Sequence, residues 1–129
     1  MKNEELCPCK SGKTFGECCG PIIAGTAKAE TAEQLMRARY ASYVTGDVEF
    51  LRASATKAVQ EEFDEEASRA WSRAAQWHGL EIIKTEKGQS GDKNGVVEFR
   101  ALYTANGEFC NHHEVSAFVK EADGWKFED

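Results

Sequence analysis

Residues 96–127 read VVEFRALYTANGEFCNHHEVSAFVKEADGWKF, and they contain two dipeptides, Asn106-Gly107 and Asp123-Gly124, suited to the positive φ angles of a tight hairpin turn. The stretches around these turns are rich in β-branched and aromatic residues in apolar/polar alternation, so 96–104, 109–119 and Trp125–Phe127 read as consecutive antiparallel strands. A two-residue turn at Asn106-Gly107 sets Ala105 opposite Glu108. That register pairs Tyr103 with Cys110, Ala101 with His112, Phe99 with Glu114 and Val97 with Ser116, all on one face. The second turn adds Trp125 and Phe127 to this face beside Phe118, and leaves Glu98, Arg100, Thr104, Asn111 and His113 toward solvent. The inner face is apolar except for a strip of Cys110, His112, Glu114 and Ser116. Such a strip is either a hydrogen-bonded core network or the floor of a pocket.

Upstream, LEIIKTE (80–86) reads as a further strand and GQSGDKNG as the loop that follows it. Before residue 79 the period is helical. Thr31 with Gln34 forms a capping-box pattern, Gly46 stops the helix, and Leu35, Met36, Tyr40, Tyr43 and Val44 make its apolar stripe. Asp47 is placed to cap a short turn that buries Phe50 and Leu51. A second helical stretch is expected from about Ala58 to His78, with acids (Glu61, Glu62, Asp64, Glu65, Glu66) before arginines (Arg69, Arg73), as the helix dipole favours. Trp71 and Trp77 are read as core, His78 as a helix C-terminal residue, and Cys110 as a small buried hydrophobe. Helices followed by an antiparallel meander give an α+β fold in which helices cover one face of a curved sheet.

The first twenty residues differ in kind. CPCKSGKTFGECCG holds Cys7, Cys9, Cys18 and Cys19 in a C-x-C-x8-C-C pattern, a compact set suited to tetrahedral thiolate coordination of zinc with no open position. Two disulfides, or four unconnected thiols, are the alternatives. Pro8 stiffens the first pair, Ser11-Gly12 permits a tight turn, and Gly20-Pro21 ends the segment. So short a segment buries little, and a bound structural Zn2+ would supply most of its folding free energy. The chain thus divides into a zinc knuckle (1–20), a connector (21–30) and an α+β domain (31–129).

Composition limits the partners. The chain has 129 residues, 41% hydrophobic and 29% charged, with formal charge −6 and pI near 5.1. Its field repels a phosphate backbone, which argues against nucleic acid as a partner. No apolar run is long enough to cross a bilayer and no signal-type stretch stands at the start, so no membrane association and a cytoplasmic location are expected, where clustered thiols bind metal more often than they pair.

CPCKSGKTFGECCG resembles the SEC-C motif, the zinc knuckle found at the tail of the SecA translocation motor and in other bacterial proteins, usually seen as CPCGSGKKYKKCCG. Lys10 stands where that pattern has Gly, and Gly16-Glu17 replaces a basic pair. With CCGPIIAG, TAEQLMRARYASYVTGDVEFL, WHGLEI, GVVEFRALY, HHEVSAF and GWKF, nearly the whole chain is similar to the bacterial YchJ family. The resemblance implies an N-terminal SEC-C knuckle with zinc on Cys7, Cys9, Cys18 and Cys19, joined to an NTF2-like cone whose curled sheet and helices enclose a cavity. It implies no particular reaction.

Two functions are compatible with these residues. One is a non-catalytic adaptor that engages an unidentified protein partner through the knuckle. The other is a small-molecule binder or acid/base enzyme using the cone cavity, with His112 and Glu114 as its polar pair and Tyr40, Tyr103, Trp125 and Phe127 as wall. The sequence reading favours the adaptor. Adjacent strand residues point to opposite faces, so His112 and His113 do not share an ion in a regular strand. SGKT at 11–14 lacks the earlier glycine and preceding strand of a phosphate loop.

Overall fold

A computed structural model describes residues 1–129. After a single 3-10 turn at Phe15–Glu17 come α1 (Cys19–Ala24), α2 (Ala32–Thr45), α3 (Val48–Ala53), α4 (Lys57–Glu62) and α5 (Glu65–Ala74). They precede β1 (Gln76–Lys87), β2 (Asn94–Ala105), β3 (Glu108–Glu121) and β4 (Gly124–Phe127). The strands form one antiparallel meander in the order β1-β2-β3-β4, and the fold is α+β.

The β2–β3 hairpin has the register that its turn dictates: Ala105 opposite Glu108, Tyr103 opposite Cys110, Ala101 opposite His112, Phe99 opposite Glu114 and Val97 opposite Ser116. Val97, Phe99, Ala101, Ser116, Phe118 and Trp125 are buried on the helix side, while Arg100, Asn111 and His113 are exposed on the other. Asn106 and Gly107 both take positive φ, as a type I′ turn requires.

The helix α2 is the centre of the molecule. Thr31 Oγ1 accepts from Gln34 N at 3.1 Å, and Gln34 Oε1 accepts from Glu30 N at 2.8 Å, one residue before the cap. Gly46 ends the helix at φ 83°, and Asp47 N joins Gly46 N on the Ser42 carbonyl. The helix is buried on more than the single stripe expected: Ala32, Leu35, Met36, Ala38, Arg39, Tyr40, Ala41 and Ser42 are all interior. The sheet covers one side, and α1, α3 and α5 cover others. In α3, Val48 and Leu51 are fully buried, each stabilising by about 1.5–3 kcal/mol, while Phe50 is only half-buried. Asp47 makes no side-chain cap there; its carboxylate accepts from Thr45 Oγ1 instead.

The expected helix over 58–78 is two short helices and the start of a strand. Phe63 leaves helical geometry, and Asp64 restarts the helix by accepting from Ala67 N at 2.9 Å. Ala75 is extended (ψ 141°), and β1 begins at Gln76 because pairing with β2 outweighs the helical pattern of the sequence. His78 is therefore a strand residue, exposed, with Nε2 2.7 Å from Thr104 Oγ1. Trp71 and Trp77 are half-buried, with Trp77 packed against the core; Cys110, close to the open hairpin end, is half-buried rather than buried.

The loop between β1 and β2 docks on the start of α2. Ala32 N donates to the Gly88 carbonyl at 2.9 Å, and a Cβ at Gly95 would lie 2.5 Å from Gly88 Cα. Only glycine permits that approach.

Candidate metal centre and ligand cavity

The head folds back on itself through Cys7 N donating to Lys13 O (2.9 Å) and a bridge between Leu6 and Thr14. This brings Cys7 and Cys9 to the sulfurs of Cys18 and Cys19 at the start of α1. All four Sγ atoms lie within 4.8 Å of one another, with Cys9–Cys18 at 3.6 Å and Cys18–Cys19 at 3.8 Å. A tetrahedron with metal–sulfur arms of about 2.3 Å has edges of about 3.8 Å, so the donor set fits a four-coordinate ion. These separations are far from the roughly 2.05 Å of a disulfide, and all five cysteines are free thiols.

Proton sharing within the cluster points the same way. Hydrogen bonds from Cys19 and then Cys7 hold Cys9 far below the usual thiol range, while Cys7, then Cys9 and burial, drive Cys19 far above it. A thiolate at Cys9 thus disfavours ionisation of Cys7 and Cys19, a conflict that a central cation removes. Ser11 Oγ sits 3.1 Å from Cys18 Sγ, the least buried of the four. Lys10 adopts φ 66°, the left-handed region that suits glycine, and its aliphatic stem covers Gly79 on β1.

The head is seated on the domain. Arg37 Nη1 donates to the Cys9 carbonyl at 2.7 Å, and Cys7, Cys9, Phe15 and Cys19 belong to the same apolar core as Leu35 and Met36 of α2.

On the sheet side of α2 lies a cavity of about 150 Å³. Arg39, Tyr40 and Tyr43 of α2 border it above, Phe99 of β2 and His112, Glu114 and Ser116 of β3 below, and Trp71 and Trp77 at one side. Tyr43 stands 5.0 Å from Trp71 and 5.7 Å from Trp77 between ring centroids, and the Trp71 ring meets His112 edge-on at 5.7 Å. His112 Nε2 is 3.1 Å from Glu114 Oε1, and Ser116 Oγ donates to Glu114 Oε2. The polar strip is therefore hydrogen-bonded and also borders open space.

Of the pocket residues expected, Tyr40, His112, Glu114 and Phe127 border this cavity. Tyr103 stands apart, toward the hairpin end, packed on Trp71 (5.7 Å) and Trp77 (5.2 Å). Trp125 is buried at the other end, where its Nε1 donates to the Glu30 carbonyl at 3.2 Å and its ring borders a separate surface groove. Both share the inner face, but the strands carry them past the cavity.

Among the lining residues absent from the expected set, Arg39 is the one that brings a charge. It is only 8% exposed, its Nη1 donates to Leu51 O (2.7 Å) and Ser54 Oγ (2.6 Å), and its Cζ lies 4.4 Å from the Phe127 ring centroid. Burial pulls it down to about 10 from the usual guanidinium range. The signal was present: Arg39 lies four residues after Leu35 and four before Tyr43, within the apolar stripe.

Residues 31–129 match the family described as YchJ, middle NTF2-like domain, and residues 5–21 match the SEC-C motif. The chain belongs to the YchJ family. A UPF0225 protein of Geobacter sulfurreducens is 43% identical over 124 residues, 96% of this chain and 77% of that protein. A UPF0225 protein of Haemophilus influenzae is 40% identical over 130 residues, 97% of this chain and 77% of that protein. Two solved structures share the architecture of this YchJ-family chain. The solution structure of a SEC-C motif containing protein from Rhodopseudomonas palustris has a TM-score of 0.86 at 36% identity, covering 95% of this chain and 94% of that one. The crystal structure of a SEC-C motif containing protein from Psychrobacter arcticus has a TM-score of 0.85 at 28% identity, covering 98% and 82%. None of the helices of this YchJ-family chain is long and apolar enough to cross a membrane.

Proposed function

We propose that this YchJ-family protein binds a small molecule in the cavity beneath α2, and that the four-cysteine head carries a structural zinc ion that pins the helix above it. The observation that carries the first part is the cavity itself: space of about 150 Å³ bordered by aromatic rings, with convergent polar groups from two elements. Enclosed, mostly apolar sites with a few placed polar groups are the usual form of small-molecule pockets. The His112–Glu114–Ser116 chain supplies donors and acceptors along the floor. Zinc is favoured by four soft thiolates in tetrahedral spacing; four protein ligands fill the coordination of a structural site, which supports a folding role for the ion and leaves ligand chemistry to the cavity.

The binding reading is tested with benzamide, a neutral arene of suitable size, titrated into zinc-loaded protein while the indole Nε1–H signals of Trp71 and Trp77 are followed by NMR. Saturable shifts are expected, and Ala101→Leu, which fills the cavity from β2, should remove them. Shifts that persist unchanged in the filled variant would place the ligand elsewhere. For the head, metal analysis should give one zinc per chain.

The adaptor reading has one specific observation in its favour. Leu6, next to the first metal-site cysteine, leaves 71% of its surface exposed. If the head docks an unidentified protein partner, Leu6→Ser should abolish capture of that partner while leaving the zinc content unchanged. Retained capture in Leu6→Ser would remove this reading.

A further inference from the structure

We propose that the cavity selects a small aromatic carboxylate, held by Arg39; this rests on the cavity-binding reading above and adds the charge and class of the ligand. Arg39 is a cation placed in the interior with no ion-pair partner. The five Lys/Arg ion pairs of the molecule use Arg37, Arg69, Lys84, Arg100 and Lys126, and the other close contacts to carboxylates come from His112 and His113. Its protein hydrogen bonds both come from Nη1. Nε and Nη2 therefore keep hydrogens without an acceptor in the protein, and neither atom is a sealed, unsatisfied group. Arg39 borders the cavity, and a ligand carboxylate there meets the planar donor fork that guanidinium offers to carboxylates.

The energetics favour an anion over a neutral guest. Taking a charge out of water is costly, and Arg39, which feels the Coulombic pull of Glu114 but makes no direct ion pair, keeps part of that cost until an anion joins it. The neighbouring Phe127 ring offsets part of it by a cation–π contact, and Ser54 and Leu51 orient the group. Glu114 is the one carboxylate on the wall, and it acts differently. Its two oxygens already face His112 Nε2 and Ser116 Oγ, so both have protein partners, whereas Arg39 keeps Nε and Nη2 free of them.

Size and wall chemistry set the class. An apolar cavity of about 150 Å³ takes up a benzene-sized guest. Here the wall offers the rings of Tyr40, Tyr43, Trp71, Trp77 and Phe99, which favour a flat aromatic body by offset and edge contacts. A single ring carrying one carboxylate fills this description, and benzoate is its simplest member.

The test compares benzoate, neutral benzamide and cationic benzylamine on the zinc-loaded full chain, with affinity read from the Trp71 and Trp77 indole signals. Benzoate should bind at least about tenfold more tightly than benzamide, the scale of one charge-assisted hydrogen bond. In Arg39→Met that preference should collapse to about unity. Arg39→Lys, which keeps the charge without the fork, should retain only part of it. Equal binding of benzoate and benzamide to the unaltered protein would overturn the anion assignment and leave the cavity reading standing. Tighter binding of benzylamine would overturn it in favour of Glu114. Binding of none of the three would overturn both readings. Because the comparison is made first on the unaltered chain, it holds even if Arg39→Met does not fold.

Discussion

The head and the cavity both bring polar side chains into the interior, and they resolve the cost in opposite ways. In the head, four thiols converge with their sulfurs within 4.8 Å of one another, so that they can all serve one ion. In the cavity, Arg39 is fixed by Ser54 and Leu51 on one side and keeps donors unspent on the other. A closed polar cluster stabilises a fold; an open one is a site that a ligand can complete. The two lie on different sides of one helix, since Arg37 of α2 holds the Cys9 carbonyl and Arg39 borders the cavity.

The largest effect expected is on the closed side. Cys9→Ser, or removal of the metal by a chelator, should release the head and lower stability by more than about 4 kcal/mol, since structural zinc commonly contributes much more than that to small domains. Thermal unfolding with and without chelator measures it, and an unchanged midpoint would mean that the head is not a metal-closed unit. Next is Gly95→Ala. A Cβ there meets Gly88 Cα at 2.5 Å and Ala32 Cβ at 3.1 Å, so the loop must leave the start of α2 at a cost of about 2–3 kcal/mol in denaturant unfolding.

On the open side the sign changes. If Arg39 is kept for a ligand, Arg39→Met should leave the ligand-free protein within about 1 kcal/mol of the original, or more stable, because a buried charge without a direct ion pair is replaced by an apolar chain. A loss of more than about 3 kcal/mol would make Arg39 a structural residue. The smallest effect belongs to Lys10→Gly. Relief of the left-handed strain at φ 66° is opposed by extra chain entropy and lost cover over Gly79, so a gain of at most about 1 kcal/mol is expected.

The same contrast explains what the sequence made legible. The β2–β3 register and the His112–Glu114–Ser116 strip followed from a side-chain period of two and one turn dipeptide, both local properties. The four cysteines were equally plain because their ligand types and spacing are confined to one segment. Arg39 was legible only in position: it falls within the apolar stripe, but an arginine there reads as a stem whose charged head reaches solvent, and the cover of α2 by the sheet, the head and neighbouring helices together is what buries it. Tyr103 and Trp125 were placed on the correct face but not along it, since alternation gives the side of a sheet and says nothing about where a curved surface opens. The break at Phe63-Asp64 and the early start of β1 were hidden by residues that favour helix until strand pairing overrides them.

The most direct test of the closed-and-open account uses the three tryptophans as separate reporters. Trp71 and Trp77 border the cavity, and Trp125 lies outside it. In an NMR titration of the zinc-loaded chain with benzoate, the account predicts saturable shifts of the Trp71 and Trp77 indole signals, with Trp125 and the amides of Cys7 to Cys19 unmoved. Shifts confined to Trp125 or to the head, or no saturable shift at all, would contradict it.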